Sequence, residues 1–325
     1  MNFTAFFHIF NPLMEKCLKA SFTLLSGAAV WLFWWLVFPQ ALGFKEQNQL
    51  FLFTSGFLLE RLSVPGGFAE WLSDFITQFN HIIWLGAALN GVIFAAIQVL
   101  TWQIAGKIGK GGNDAWYPLS FILPAAILCI LGDMYVTMGF VMAILLSLVL
   151  SRIYLSRKST VFALTAIPMA FWLIGPAACI PTFIYMISGK GKASWRILAG
   201  LALSAASLVL FHYVFAVQYP WRQLLLGINY YQIPLRQPSS LYIVMALAVA
   251  VPVCIAALPE LRRGRAACLI AQSAVILISV LSFLHRSYDR DTYEILAYDQ
   301  LVRNERWEDI ISRAEEYQPR SDIGC

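Results

Sequence analysis

Charged residues are scarce in this chain. Of its 325 residues 13% are charged, about half of the roughly 25% found in soluble globular proteins. Apolar residues make up 59%, and the mean hydropathy is +0.68. These values exclude a soluble globular domain. The net charge of +5 does not indicate nucleic-acid binding, because the basic residues stand in short loops between apolar runs.

The chain also lacks the motifs that hold metals or activate nucleophiles in soluble enzymes. Its six cysteines are scattered, without a CxxC pair or a histidine at ligand spacing, so they predict no metal site. P-loop, zinc-protease and serine-hydrolase motifs are absent from the sequence. No Asp, Glu, Lys or Arg stands in the middle of a predicted membrane span, which disfavours an ion-coupled transporter. A lipid or solute transporter is therefore the third of the three functions considered.

Long apolar runs predict an all-α, polytopic membrane protein. A crossing needs about 20 apolar residues, and such runs cover 20–38, 82–104, 116–131, 134–150, 197–217, 241–258 and 266–284. The stretch 160–188 is too long for one crossing and too short for two, and Gly175-Pro176 and Pro181 interrupt it. We expect a hairpin of two short helices there. With this hairpin counted as two, the sequence predicts about nine membrane helices.

The positions of the basic residues predict the orientation. Thirteen lysines and arginines fall on one side of the predicted spans and four on the other. By the positive-inside rule the N-terminus is cytoplasmic in a bacterial inner membrane. The segment 44–81, the loop 218–240 and the C-terminus are then periplasmic. Residues 1–284 form the predicted transmembrane domain, and 285–325 form an extracytoplasmic helical tail.

The segment 44–81 predicts two helices at the outer interface. Pro65-Gly66-Gly67 indicates a sharp turn between a first helix, about 47–59, and a second one. Apolar residues of the second helix recur at helical spacing: Phe68, Trp71, Leu72, Phe75, Ile76 and Phe79. We expect this helix to lie on the membrane with its apolar face down and its polar face towards water.

Glu70 and Asp74 are the predicted catalytic residues on that polar face, as a base or as metal ligands. Two carboxylates one helical turn apart repel each other unless a divalent cation, an arginine or a shared proton neutralises them. A divalent cation is the cofactor that such a pair would take. The predicted substrate-binding groups on the same side, suited to phosphate, are Arg61, His81, Arg222 and Arg236. The alternative is a solvated face without chemistry.

Several short stretches resemble an uncharacterised family of multi-pass membrane proteins from Bacteroidota. They are residues 49–52, Glu60-Arg61-Leu62, Pro65-Gly66-Gly67, Gln78-Phe79 and Trp307-x-x-Ile310-Ile311. The resemblance covers most of the chain and implies an architecture with an outer tetratricopeptide-like tail. It implies no activity.

The layout is also similar to that of GT-C glycosyltransferases, which use a lipid-phosphate sugar donor. This similarity implies a catalytic carboxylate in the first outer loop, where this chain has Lys45-Glu46 instead of the acidic pair of that class. We therefore predict an outward-facing transferase of cell-envelope glycan or lipid assembly with a lipid-phosphate-linked donor. The alternative is a membrane-anchored scaffold whose tail recruits envelope proteins. The bilayer and a lipid-phosphate carrier are the predicted partners, and nucleic acid is not.

Overall fold

The computed structural model describes residues 3–109, 114–156, 160–188, 227–233, 237–261, 265–288 and 290–316, with scattered residues between 198 and 220. Its helices are α1 (Phe3–Leu32), α2 (Pro39–Gln47), α3 (Ser55–Leu62), α4 (Gly67–Thr77), α5 (Ile83–Ile108), α6 (Ile122–Ile130), α7 (Met138–Tyr154), α8 (Thr160–Ile174), α9 (Cys179–Ile187), α10 (Ser239–Ala257), α11 (Arg265–Ser287), α12 (Arg290–Arg303) and α13 (Trp307–Glu316). Within the described residues the fold is helical throughout, apart from an isolated antiparallel bridge between Val136 and Tyr231.

Five described stretches are long and apolar enough to cross a membrane: Lys16–Val37, Ile83–Ile108, Thr165–Ile187, Ser239–Ala257 and Ala267–Ser287. Asp114–Ile130 and Met138–Tyr154 are shorter apolar helices. The predicted multi-pass, all-helical fold is confirmed in this form. The count of nine helices stays a prediction, because most of the predicted span 197–217 lies outside the described residues.

Helices α8 and α9 are separated by Gly175, with φ +69°, and by a short 3₁₀ segment. Tyr185 of α9 packs edge-on against Tyr154 at the end of α7, whereas the Ala177 carbonyl accepts a hydrogen bond from Ser147 in the middle of α7. Helix α9 therefore runs parallel to α7. Thr165–Ile187 as a whole has the length of one crossing, so the hairpin of two short helices stays a prediction.

The core forms around α5 and α7. Helix α1 crosses α5 at Gly27 and Gly91, where a Cβ on Gly91 would stand 2.5 Å from the Gly27 carbonyl oxygen. This close approach brings the two backbones into contact, as small residues commonly do between membrane helices. Helix α7 packs against α4, α5 and α9, and most of its side chains are fully buried.

The first predicted outer helix, about 47–59, is wrong in its bounds. Helix α2 ends at Gln47, residues 49–53 have no regular secondary structure, and α3 begins at Ser55. Thr54 determines this start, because its side chain accepts a hydrogen bond from the Phe57 N–H and caps the helix. The second helix was predicted closely.

The described part of the tail packs back on the membrane domain. Helix α12 contacts α2 through buried Tyr293, Leu296 and Ala297, and the Tyr293 hydroxyl donates to the Gly132 carbonyl. Helix α13 follows α12 after a short turn and leaves Trp307 and Ile311 exposed.

Candidate functional site

Helix α4 has its polar face turned into the protein, opposite to the prediction. Ser73, Asp74 and Thr77 are at most 1% exposed, and the helix packs along α7. The apolar face is partly exposed, and its rings stack along the helix from Phe68 to Trp71 and on to Phe75. In a soluble protein the apolar face of an amphipathic helix packs on the protein. At a membrane surface the apolar face can contact lipid instead, which leaves the polar face to pack on the protein. The polar face of α4 therefore faces the helical bundle.

The turn before α4 brings Arg61 onto this polar face. Gly66 adopts a left-handed conformation, φ +91°, and its N–H donates to the Trp172 carbonyl at 2.8 Å. A Cβ on Gly67 would stand 1.7 Å from the Arg61 carbonyl oxygen, so only glycine fits there. The chain thus reverses within four residues, and the last turn of α3 lies beside the first turn of α4.

Arg61 binds both predicted catalytic carboxylates. Its Nη1 donates to Glu70 Oε1 at 2.9 Å, and its Nη2 stands 3.0 Å from Asp74 Oδ2. The guanidinium also lies 4.9 Å from the centre of the Phe57 ring, which adds a cation–π contact. A divalent cation, an arginine or a shared proton would neutralise the two carboxylates. In the structure, an arginine lies in this position. We call Arg61, Glu70 and Asp74 the ion cluster.

Burial keeps both carboxyls of the ion cluster easy to protonate. Burial raises the pKa of Glu70 to about 7, although Arg61 opposes this shift. Burial likewise raises the pKa of Asp74 to about 6, again against the attraction of Arg61. At neutral pH Glu70 is therefore half protonated while Asp74 is mostly ionised, and the two carboxyls can act as an acid and a base.

Two buried donors in this region have no hydrogen-bond partner among the described residues. They are Arg61 Nε and Asn229 Nδ2, whereas Asp74 Oδ2 faces Arg61 Nη2. Asn229 belongs to the segment 227–233, and its carbonyl oxygen and the Glu70 Cα both approach Gly139 of α7. The buried Tyr230 hydroxyl holds this segment by accepting from the Ala177 N–H at 3.0 Å and donating to the Ile174 carbonyl. These two donors are thus left without a partner within the described part of the chain.

Of the other predicted binding residues, the structure describes His81, which lies away from the ion cluster. His81 is exposed at the end of the 3₁₀ turn Gln78–His81, about 10 Å along the axis from Asp74 at helical rise. Arg222 and Arg236 lie outside the described residues. No group of three or more His, Cys, Asp or Glu side chains suited to a metal occurs among the residues that the structure describes.

Lys45 is a buried cation that the sequence reading placed in an outer loop. It is 5% exposed, and its Nζ donates to the Val136 carbonyl at 2.8 Å. Burial lowers the pKa of Lys45 to about 8, and the Asp133 carboxylate partly offsets this. The sequence contained a signal for the burial of Lys45, because Ala41, Leu42 and Lys45 share one face of α2 at helical spacing.

One curated relative matches less than half of the chain. The undecaprenyl-diphosphatase of Caldanaerobacter subterraneus subsp. tengcongensis is 29% identical over 160 residues, which cover 45% of this chain and 58% of that enzyme. The chain thus spans less than two thirds of that relative. No solved structure matches the chain. The profile of a group described as "Family of unknown function (DUF6057)" matches residues 15–324, and the chain belongs to this family.

Proposed function

We propose that this protein is an integral membrane enzyme that acts on the phosphate of a membrane lipid at the ion cluster. The observation that supports this most directly is the inward polar face of α4, where one arginine and two carboxyls with raised pKa values meet unpaired buried donors. The name of the relative, undecaprenyl-diphosphatase, supports the same class of substrate.

Arg61 and Asn229 bind the phosphate in this proposal. A guanidinium donates strong, charge-assisted hydrogen bonds to phosphate oxygens, and Arg61 Nε is a buried donor with no partner among the described residues. Asn229 Nδ2 is a second such donor. Protonation of Glu70 leaves Arg61 with one ionised partner instead of two, so its charge becomes available to an anionic ligand.

Glu70 and Asp74 divide the proton transfers. The Asp74 carboxylate, ionised at neutral pH, accepts a proton from water, and the water oxygen attacks the terminal phosphorus of a lipid diphosphate. The bond from that phosphorus to the bridging oxygen breaks, and protonated Glu70 donates its proton to the bridging oxygen. The products are a lipid monophosphate and inorganic phosphate. Such general acid–base catalysis typically contributes about 10²–10⁴-fold to the rate.

The transferase predicted from the sequence uses the same groups with a different acceptor. A hydroxyl of a growing glycan or lipid would replace water, and Asp74 would take the hydroxyl proton. The two reactions differ in their products, because only hydrolysis releases a group to water in the absence of an acceptor. The thirteen-to-four distribution of basic residues favours a site on the periplasmic face in either case.

Phosphate release by the purified full-length protein tests this proposal. We would supply farnesyl diphosphate in detergent and follow inorganic phosphate between pH 5 and 9. We expect kcat/KM to be highest between about pH 6 and 7, where Asp74 is ionised and Glu70 protonated. Replacing Glu70 by Gln should lower kcat about 100-fold or more, and Asp74→Asn should do the same.

Glu60→Gln is the matched control. Glu60 is an exposed carboxylate next to Arg61 in α3, so its loss should change the rate less than about twofold. The proposal is wrong if the unmodified protein neither releases phosphate nor transfers the group to an added polyol. It is also wrong if the Glu70→Gln and Glu60→Gln variants have the same activity.

A scaffold is the second candidate, and the surface of α13 favours it. Trp307 and Ile311 are one turn apart and are 58% and 63% exposed, on a helix that otherwise carries mostly charged and polar side chains. A Trp307→Ser, Ile311→Ser double variant should lose envelope partners but keep phosphate release. An enzyme without such partners would retain its full cellular function in this variant.

A further inference from the structure

An apolar groove of about 630 Å³ lies between α10 and α11, with α6 as its floor. These two helices are consecutive in the chain, and both contact α6 and the 3₁₀ segment Asp114–Phe121. Helix α10 also contacts α5 and α9, and α11 does not. The apolar window of α11 has none of its residues buried. The groove therefore opens sideways, towards the lipid.

The groove has the length and direction of a lipid chain. It follows α11 from Val275 to Ser287, which is about 18 Å at helical rise. The hydrocarbon core of a bilayer is about 30 Å thick, so the groove covers one leaflet. At the Val275 end its lining is apolar, with Ile122 and Leu247 facing it.

The polar lining gathers mainly at the other end. Asp133, Ser240 and Ser287 line the groove there, where α6 and α11 end and α10 begins. Three residues beyond Asp133, the Val136 carbonyl binds Lys45 of α2. We call the end of the groove at Asp133, Ser240 and Ser287 its mouth. The mouth therefore lies at the same end of the bundle as α2 and α4.

Asp133 gives the mouth its charge. Its Oδ2 accepts from the Tyr231 hydroxyl at 3.0 Å, and its Oδ1 accepts from the Tyr135 N–H at 3.0 Å, so the carboxylate is held in place. It is the only charged side chain among the residues that line the described groove. A carboxylate in this position attracts an ammonium group and repels a headgroup with net negative charge.

We propose that the groove binds one hydrocarbon chain of a phospholipid whose headgroup carries an ammonium, which pairs with Asp133. This inference stands apart from the proposed phosphate chemistry, because none of the ion-cluster residues lines the groove. A lipid held there would fill the gap between α10 and α11 and fix the mouth beside the segment 227–233, to which Tyr231 belongs.

Native mass spectrometry of the full-length protein in detergent tests this inference. Phosphatidylethanolamine and phosphatidylglycerol with identical acyl chains are the two probes. We expect roughly two- to five-fold more bound phosphatidylethanolamine, the range of one partly exposed ion pair. Asp133→Asn should abolish the preference without abolishing binding. Ala126→Trp, which fills the groove floor with a large ring, should reduce binding of both lipids.

Val92→Trp is the matched control, because Val92 is 65% exposed on the lipid-facing side of α5 and does not line the groove. Its lipid binding should equal that of the unmodified protein. Ala126→Leu replaces the tryptophan variant if the latter does not fold, and should give a smaller loss in the same direction. Unchanged binding in both Ala126 variants would overturn the inference. Equal binding of the two lipids by the unmodified protein would overturn the assignment of the headgroup.

Discussion

Replacing Arg61 by Met should destabilise the protein much more at pH 8 than at pH 5. The substitution removes the cation between Glu70 and Asp74 and keeps most of the side-chain volume. Breaking a buried ion pair by removing one partner costs about 3–5 kcal/mol. The Arg61 side chain is 30% exposed, and solvent screening lowers this to roughly 2 kcal/mol at pH 8.

At pH 5 the Arg61→Met variant should lose less stability than at pH 8. Without Arg61, burial and mutual repulsion raise the pKa of both carboxyls further, so both are protonated at this pH. What remains is the loss of hydrogen bonds, about 1 kcal/mol. For a large domain 1 kcal/mol shifts Tm by roughly 2–4 °C. We therefore expect Tm to fall by about 6 °C at pH 8 and by about 3 °C at pH 5, measured by differential scanning fluorimetry in detergent.

Two further variants make this experiment decisive. The triple variant Arg61→Met, Glu70→Gln, Asp74→Asn removes the unpaired charges and should recover most of the loss at pH 8. Arg303→Met removes a surface pair with Asp299 one turn away and should shift Tm by no more than about 1 °C at either pH. Equal losses at pH 5 and pH 8, or a triple variant as unstable as Arg61→Met, would refute the electrostatic account of the ion cluster.

Three other predictions concern the elements around the site. The unmodified protein should lose stability as pH rises from about 5 to 8. The pKa values of Glu70 and Asp74 are raised in the folded state, so the folded state binds more protons than the unfolded state. A Tm that rises over this pH range would contradict this prediction. Gly67→Ala should lower Tm by several degrees and reduce phosphate release, because its Cβ overlaps the Arg61 carbonyl, whereas Gly43→Ala, with open space around its Cβ, should be neutral or slightly stabilising in activity and Tm assays. Tyr230→Phe should cost about 1–3 kcal/mol in the free energy of unfolding, because it leaves the buried Ala177 N–H unpaired, while Tyr135→Phe at an exposed ring serves as the control.

Periodicity predicted the helices well but could not predict which way they face. The spacing of Phe68, Trp71 and Phe75 located α4 to within a residue, and Pro65-Gly66-Gly67 located its turn, because both signals are local. The burial of Asp74 is not local. In water the polar face of an amphipathic helix is exposed, but at a membrane the apolar face can contact lipid, and then the polar face packs on the protein. The position of Lys45 was mistaken for the same reason.

The break between α8 and α9 is the converse case, in which a local signal was sufficient. Gly175-Pro176 cannot continue a helix without strain, and α8 ends at Ile174, directly before the positive φ of Gly175. Local sequence patterns cannot predict sites that are formed by residues far apart in the sequence. The Asn229 backbone comes near Gly139, as Glu70 does, and the next residue, Tyr230, anchors this segment to Ile174 and Ala177.

The ion cluster is not there to stabilise the fold. If its attractions exceeded the loss of hydration, the pKa values of Glu70 and Asp74 would lie below their ordinary values, yet both are raised. Ionisation of Glu70 therefore opposes folding, and its shift from 4.5 to about 7 corresponds to about 3 kcal/mol at about 1.4 kcal/mol per pKa unit. Glu70→Gln keeps the shape and the pairing of Arg61 with Asp74 but removes this cost.

We accordingly expect Glu70→Gln to raise Tm by roughly 6–12 °C at pH 8. At pH 5 the gain should be much smaller, because Glu70 is already protonated in the folded state. The same variant should be inactive. A gain in stability coupled to a loss of activity is the behaviour of a group kept for its chemistry. If Glu70→Gln lowered Tm at pH 8 instead, Glu70 would be a structural partner of Arg61, and the case for catalysis at this cluster would fail.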